Sequence, residues 1–414
     1  MKRFLVLWGS LFSASFVYAQ RECRSFEYQQ QLIQNDPSLK TSRQAIEDFQ
    51  SNKKLNQGSS LARIAGLKTI TIPVIIHILY HYPGENISDD LVQSQIAALN
   101  RDYRKLNPDT TRIPGEFKSL AADCGIEFKL ATVDSAGRAS TAIIHKYTPV
   151  TRWTIDDKIK FSSEMGDDAW NANSYLNIWV GTIDLNGYSS SPGDPANKDG
   201  IVISNTAFGI TNSGNYGKGR TAVHEVGHWL GLRHLWGDAN CGDDGIADTP
   251  KQQTFTSGCP SSVRVSCGNG PYGDMYMDYM DFTNDDCLVM FTEGQKQKML
   301  TLFEPDGPRN LILSSNGLGI PLIEQYPLPE TSPQWLQIQI FPNPVTSELT
   351  LNLEYDARWI GKELKVFNVT GQLQIRKMIT TKIQKLNVSN LKPGIYFISA
   401  EKEGEKMLQK FVKL

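Results

Sequence analysis

His224-Glu225-Val226-Gly227-His228-Trp229-Leu230-Gly231-Leu232-Arg233-His234 places three imidazoles, one carboxylate and a chain-reversing glycine in a single short stretch. On a helix, positions i and i+4 share a face one turn apart. His224 and His228 can therefore aim their Nε2 atoms at one ion about 2.0–2.1 Å away. Glu225, one position along, is angled off that point, which suits a general base taking a proton from the attacking water rather than a ligand. Gly231 lacks a Cβ and can adopt φ > 0, ending the helix, so that His234 returns from another direction as third ligand. Three protein ligands leave a fourth position open, the arrangement of a hydrolytic zinc site rather than a structural one. HExxH alone also describes an amphipathic helix with two surface histidines. The glycine and third histidine at their required places argue against that reading, and half of the chain's 6 His lie in this motif.

Outside the motif, composition points to a modular exported protein. The 414 residues suffice for two or three domains, and 40% hydrophobic with 21% charged residues is ordinary globular usage. A net charge of −2 gives no electrostatic case for nucleic acid or an anionic membrane. Lys2-Arg3, an apolar run from Phe4 to Val17, and Val17-Tyr18-Ala19 before Gln20 read as a secretory signal peptide over 1–19. No later run reaches 18 apolar residues, so no transmembrane segment is expected. Residues 20–62 are polar, with one short helix expected around 42–52, and read as a removable pro-segment.

The catalytic domain is expected over 63–317. Strands are read at 69–79, 126–133, 176–180 and 200–204, and a helix capped by Ser88 carries Leu91, Val92, Ile96 and Leu99 at helical spacing. The zinc helix is read over 221–232. The 176–180 strand is expected to border the cleft, offering an edge to an extended peptide. His77, His81 and His145 have no partner spacing and read as core or surface residues. Residues 318–336, with Pro321, Pro327, Pro329 and Pro333, form a semi-extended linker. Residues 337–414 show short alternating runs at 338–341, 349–353, 364–369, 386–388 and 395–400, separated by turn residues, and read as a small all-β sandwich.

Export would give the cysteines an oxidising setting. Cys241, Cys259, Cys267 and Cys287 all follow the zinc motif and allow three connectivities; no CxxC pair favours a Cys₄ metal site instead. Cys23 lies just inside the expected mature N-terminus. Its thiolate can take the fourth zinc position and hold the site latent; a Cys23–Cys124 disulfide or two idle thiols are the alternatives. Asp243, Asp244, Asp248 and Thr249 fall in a Gly-rich loop and are hard oxygen donors suited to Ca²⁺, although the spacing is not that of an EF-hand and a solvated acidic turn would look alike.

HEVGHWLGLRHLWGD (224–238), Asp248-Thr249-Pro250, Gly258-Cys259-Pro260, MDFTNDDC (280–287), Phe291-Thr292 and Gln295 together resemble the metzincin metallopeptidases, and among them the pappalysin family in its secreted bacterial, ulilysin-like and mirolysin-like members. The resemblance covers residues 70–305. It implies an α+β catalytic domain, with a mixed twisted sheet and helices above an irregular, disulfide-stapled lower half. It implies a zinc endopeptidase acting on proteins or peptides. It also implies the pairs Cys241–Cys267 and Cys259–Cys287, each loop gaining roughly 3–4 kcal/mol by chain entropy, together with cysteine-switch latency through Cys23 and calcium near Asp243–Thr249. Counting back from Cys287 as the family does places the Met-turn at Met280, with Met277-Asp278-Tyr279 as the alternative. Relatives often carry Tyr where this chain has Phe282. Asp286, matching an aspartate of the ulilysin-like S1′ pocket, implies cleavage before Arg, less often Lys, and self-processing at Ala62–Arg63.

FPNP (341–344), VFNVTG (366–371), LKPGIY (391–396) and KFVKL (410–414) resemble the C-terminal sorting domain of the type IX secretion system. That implies passage through the periplasm and across the outer membrane of a Gram-negative bacterium, with the secretion machinery as a partner; a monomer is expected. The competing readings are a non-catalytic adhesin on the same scaffold, whose mark would be loss of Glu225, and a zinc amidohydrolase.

Overall fold

The computed structural model describes residues 23–55, 69–211, 214–321, 338–354, 356–402 and 405–414. The expected leader (1–19), the Ala62–Arg63 junction and most of the linker lie outside them. Two helices open the described chain, α1 (Ser25–Asn35) and α2 (Ser38–Leu55), where a single short one was expected. They are followed by β1 (Ile70–Tyr80), α3 (Asp89–Tyr103), β2 (Ile126–Leu130), β3 (Ile143–Tyr147), β4 (Leu176–Gly181), β5 (Gly187–Ser189), β6 (Ile201–Ser204), α4 (Arg220–Trp229) and α5 (Glu293–Thr301).

The six strands form one mixed sheet in the order β2-β1-β4-β6-β5, with β3 also on β1. β1 is long enough to pair β2 in parallel with its first half and β3 with its second. Only β5 runs antiparallel, against β6. Alternate β1 residues Ile72, Val74, Ile76 and Ile78 enter the main core with Val92, Ile96 and Leu99 of α3 and Val223 and Val226 of α4, as a period-2 strand facing a period-3.6 helix requires. Ser88 caps α3, its hydroxyl accepting from Leu91 N at 3.3 Å.

The cleft edge is not where the sequence placed it. β4 is buried along its whole length between β1 and β6, and its unbroken apolar run is what a strand covered on both faces shows. The edge strand beside β6 is β5, whose three residues carry too short a pattern to announce a strand.

α4 is buried at every position. Beyond it, from Leu230 to Thr292, the chain has neither α-helix nor strand and is tied by Cys241–Cys267 and Cys259–Cys287, each with Cα atoms 5.7 Å apart. Cys124 is buried and free, and not bonded to Cys23.

The last part of the chain is all-β: β7 (Gln339–Phe341), β8 (Glu348–Asn352), β9 (Glu363–Asn368), β10 (Leu373–Met378), β11 (Ile383–Asn387), β12 (Gly394–Lys402) and β13 (Glu405–Lys413). These make a four-stranded sheet, β10-β9-β12-β13, and a three-stranded one, β11-β8-β7, around a core that includes Leu349, Leu351, Trp359, Val366, Ile398 and Phe411. The sequence reading missed β10 and β13. β10 is mostly exposed, so no buried alternation betrays it. Among the described residues, no helix is long and apolar enough to cross a membrane.

Candidate metal centre

α4 presents His224 and His228 on one face, and Gly231 (φ 81°) turns the chain so that His234 meets them. His228 Nε2 lies 3.1 Å from His224 Nε2 and 3.0 Å from His234 Nε2. The remaining ring nitrogens are all committed. His224 Nδ1 donates to the Tyr279 carbonyl at 2.7 Å, His228 Nδ1 to the Leu232 carbonyl at 2.9 Å, and His234 Nδ1 to the Asp238 carboxylate. With the protons on Nδ1, three Nε2 lone pairs converge on one buried point, each ring held in place by the acceptor on its other nitrogen, as metal-binding histidines are. A tetrahedral ion with bonds of about 2.0–2.1 Å needs Nε2 atoms about 3.3 Å apart, so the spacing fits zinc. Burial, then the neighbouring His234, pushes the His228 pKa down to about 3, keeping that imidazole a neutral ligand.

Cys23 joins the three histidines, its Sγ 3.5 Å from His228 Nε2; these four side chains are the only group of metal-capable His, Cys, Asp or Glu ligands among the described residues. Burial and then the Glu225 carboxylate push the Cys23 thiol up, a preference that a cation at the centre opposes. The segment carrying Cys23 lies along β5 as a parallel bridge to Gly187, and Arg24 N donates to the Gly187 carbonyl at 3.3 Å. Ser25, which sequence reasoning missed, donates from Oγ to Glu225 Oε2 at 2.8 Å and accepts from Ser189 N at 2.9 Å. Nothing in a lone serine two residues after a cysteine signals this. Gly187 is required here, because a Cβ on it would stand 2.9 Å from Glu225 Cγ.

Below the histidines, Met280 is fully buried, and a Cβ on Gly227 would lie 2.5 Å from its Sδ. The floor residue and the helix thus touch only because position 227 has no side chain. Met277 is also buried, with its carbonyl accepting from Val289 N. Phe282 packs 4.9 Å from the His234 ring and, with Trp236, Phe255 and Cys23, forms an apolar collar. His77 is buried between Asp167 and Asn177 and is not a member of the Cys23–His224–His228–His234 group.

The Asp286 side chain is 66% exposed and pairs with Lys218 Nζ at 2.5 Å. The buried neighbour is Asp285, whose Oδ2 accepts from Lys218 N and Arg220 N. The four loop residues Asp243, Asp244, Asp248 and Thr249 lie in separate settings. Asp243 is exposed and pairs with Lys251 at 3.1 Å. Asp248 spends both oxygens at the start of α5, on Thr292 Oγ1 and Gly294 N, each at 2.8 Å. Asp244 and Thr249 do meet, Thr249 Oγ1 donating to Asp244 Oδ1 at 2.8 Å, and burial pushes the Asp244 carboxyl up to about 6.

The entry to α4 is held by a buried network that sequence reasoning also missed. Arg220 bonds Asp109 through Nη1 and Nη2 at 2.8 and 2.9 Å, Asp102 through Nε at 3.1 Å, and the Asp285 carbonyl at 2.5 Å. It thereby ties the metal helix to the loop preceding Asp286.

Comparison with known proteins bears on this geometry. The family model described as pregnancy-associated plasma protein-A matches residues 160–304. An extracellular metalloprotease of Colletotrichum graminicola is 30% identical over 276 residues, 62% of this chain and 86% of its own length. Mature mirolysin of Tannerella forsythia, solved with a cleaved peptide, is 43% identical, with 59% of this chain and 96% of that one covered and a TM-score of 0.58. The chain belongs to the pappalysin family. A promirolysin mutant from Tannerella forsythia is similar over a longer span, at 40% identity, covering 71% of this chain and 97% of that one with a TM-score of 0.63. Residues 339–414 match a secretion system C-terminal sorting domain. This pappalysin-family chain is therefore a zinc metalloendopeptidase with a tail that directs it to the cell surface or beyond.

Proposed function

We propose that this protease is made latent, with residues 20–62 as its pro-segment, and that it cleaves proteins before Arg and less often before Lys. The observation that carries the latent state is the convergence of Cys23 Sγ with three Nε2 atoms while Ser25 holds Glu225. His224, His228 and His234 would hold zinc, with Cys23 as fourth ligand until the segment leaves. When bound, zinc supplies the Lewis acidity that polarises the scissile carbonyl and acidifies the attacking water. Glu225, freed from Ser25, takes the proton from that water and delivers it to the leaving amine. Gly187 and Ser189 then offer their backbone groups to an extended substrate, as they do to residues 23–25. Met280 acts as the floor of the histidine set. Similarity to a promirolysin supports the precursor reading, and removal at Ala62–Arg63 agrees with a preference for Arg.

Asp286 carries the specificity. Its exposed carboxylate already holds an ammonium from Lys218, and a substrate guanidinium can compete by pairing bidentately. Of the loop residues, Asp244 and Thr249 keep a structural Ca²⁺ reading, since their oxygens meet in one buried place and are hard donors. Export through the signal peptide and the periplasm precedes sorting by the tail, and the enzyme acts as a monomer. An adhesin reading finds no support in a site that retains Glu225. Sequencing the products of a diverse peptide pool tests the specificity. A preference for large apolar residues after the cut, unchanged in Asp286→Ala, would remove Asp286 and self-processing together.

A further inference from the structure

On the other face of β5 from the metal centre, the N-terminal segment fills a second pocket. Tyr28 of α1 is 1% exposed, with its ring centroid 4.9 Å from that of Tyr188. Its hydroxyl accepts from Lys160 Nζ at 3.1 Å. Lys160 is itself fully buried. It pairs with Asp157 at 2.9 Å, donates to the Lys198 carbonyl at 2.8 Å, and stands 5.1 and 5.5 Å from the ring centroids of Tyr188 and Trp179. The Tyr188 hydroxyl is buried with no hydrogen-bond partner among the described residues. Leu32, one turn after Tyr28, packs into the same cluster with Trp153, Ile159 and Ile183.

Strand alternation explains why the two sites are neighbours. Gly187 and Ser189 face the metal and hold residues 23–25, while Tyr188 between them faces the pocket. A three-residue edge strand therefore serves both. An ammonium inside aromatic walls is costly unless acceptors surround it. The enzyme domain supplies Asp157, the Lys198 carbonyl and the rings. The N-terminal segment supplies the remaining acceptor, on an aromatic ring that closes the box.

Resting on the reading that residues 20–62 are removed, we propose that the seat of Tyr28 becomes a side-chain binding site of the active protease, taking a tyrosine of the protein substrate some residues away from the bond being cut. Tyrosine fits because its ring fills the apolar walls and its hydroxyl meets the Lys160 donor, as the Tyr28 hydroxyl does. Phenylalanine fills the walls but removes one of the acceptors around the Lys160 ammonium. The pro-segment thus covers two sites at once, the metal through Cys23 and this pocket through Tyr28.

The test uses the active form of the full chain, with its N-terminus sequenced. Peptides share one cut site and carry a single Tyr, Phe or Ala at each position from about eight before to about eight after the bond, a span set by the short chain distance from Cys23 to Tyr28. At one or two positions kcat/KM for Tyr should exceed that for Ala by about tenfold and that for Phe by about threefold. Lys160→Met should erase the Tyr-over-Phe difference, and a Tyr-over-Phe ratio that survives it overturns the role of Lys160. Free N-acetyl-tyrosinamide should slow the Tyr peptide alone, a measurement that stands even where Lys160→Met does not fold. Equal rates for Tyr, Phe and Ala everywhere, or no competition by the free amide, overturn the pocket. An active form whose sequence still begins before Tyr28 overturns instead the removal on which its opening rests.

Discussion

Arg220→Met keeps an unbranched stem at the start of α4 and deletes a guanidinium that is 1% exposed. The loss falls unequally on its partners. Asp102 retains Arg101, which bonds both its oxygens at 2.7 Å. Asp109 retains only Asn107 Nδ2 at 2.7 Å and a distant Lys218 Nζ at 3.8 Å. One carboxylate is therefore stranded rather than two, which places the cost near the lower end of the range for breaking a buried ion pair, about 3 kcal/mol. For a domain of this size that corresponds to a drop in Tm of roughly 6–12 °C. The effect has a pH signature. Burial would raise the Asp109 carboxyl, but the hydrogen bonds and charge of Arg220 outweigh it and hold the group below its ordinary value. A depressed carboxylate contributes stability that is present above the unfolded pKa of about 3.9 and lost as pH falls through the folded one. Parent and variant should therefore differ at neutral pH and converge in acid. Urea unfolding of both, with Asp109→Asn and the double variant to close a cycle, measures this. A loss under about 1 kcal/mol, or a coupling between the two sites near zero, would refute the buttress.

Other outcomes can be checked on the same material. Glu225→Ala should keep its zinc by metal analysis while losing peptidase activity by several orders of magnitude, whereas His228→Ala should lose both; near-native turnover in purified Glu225→Ala would remove the general base. Cys23→Ala should give a precursor that activates sooner than the parent, and Ser25→Ala should do so to a lesser degree with the thiol still in place; a time course on gels decides, and unchanged latency in both would sink the two-point hold. Asp244→Asn separates burial from calcium. The Asp244 carboxyl is raised to about 6, chiefly by burial, so the folded state loses stability as pH rises from about 4 to 6, by roughly 2–3 kcal/mol. In chelator at pH 8 the variant should therefore be the more stable protein. With added Ca²⁺ only the parent should gain in Tm, and a parent indifferent to calcium ends that reading.

The second half of the chain shows how legibility depends on what a residue pairs with. β8, β9 and β12 are readable because their buried residues alternate within one short segment, whereas β10 is held by β9 while its side chains face solvent. Within the catalytic domain β4 announced itself as a strand through its apolar run, but an apolar run does not say which strand lies beside it.

By itself the sequence determined the histidine constellation, because His224, Glu225 and His228 share one helix and a single glycine returns His234; those relations are local and follow from backbone geometry. It determined the all-β tail for the same reason. Only the tertiary structure decided that β5 and not β4 is the edge strand beside β6, that Ser25 meets Glu225 across 200 residues of chain, that Arg220 gathers Asp102, Asp109 and the Asp285 carbonyl, and that Asp286 pairs with Lys218. Each of these is set by strand order and by contacts between segments distant in the chain, which no pattern of spacing within one segment encodes.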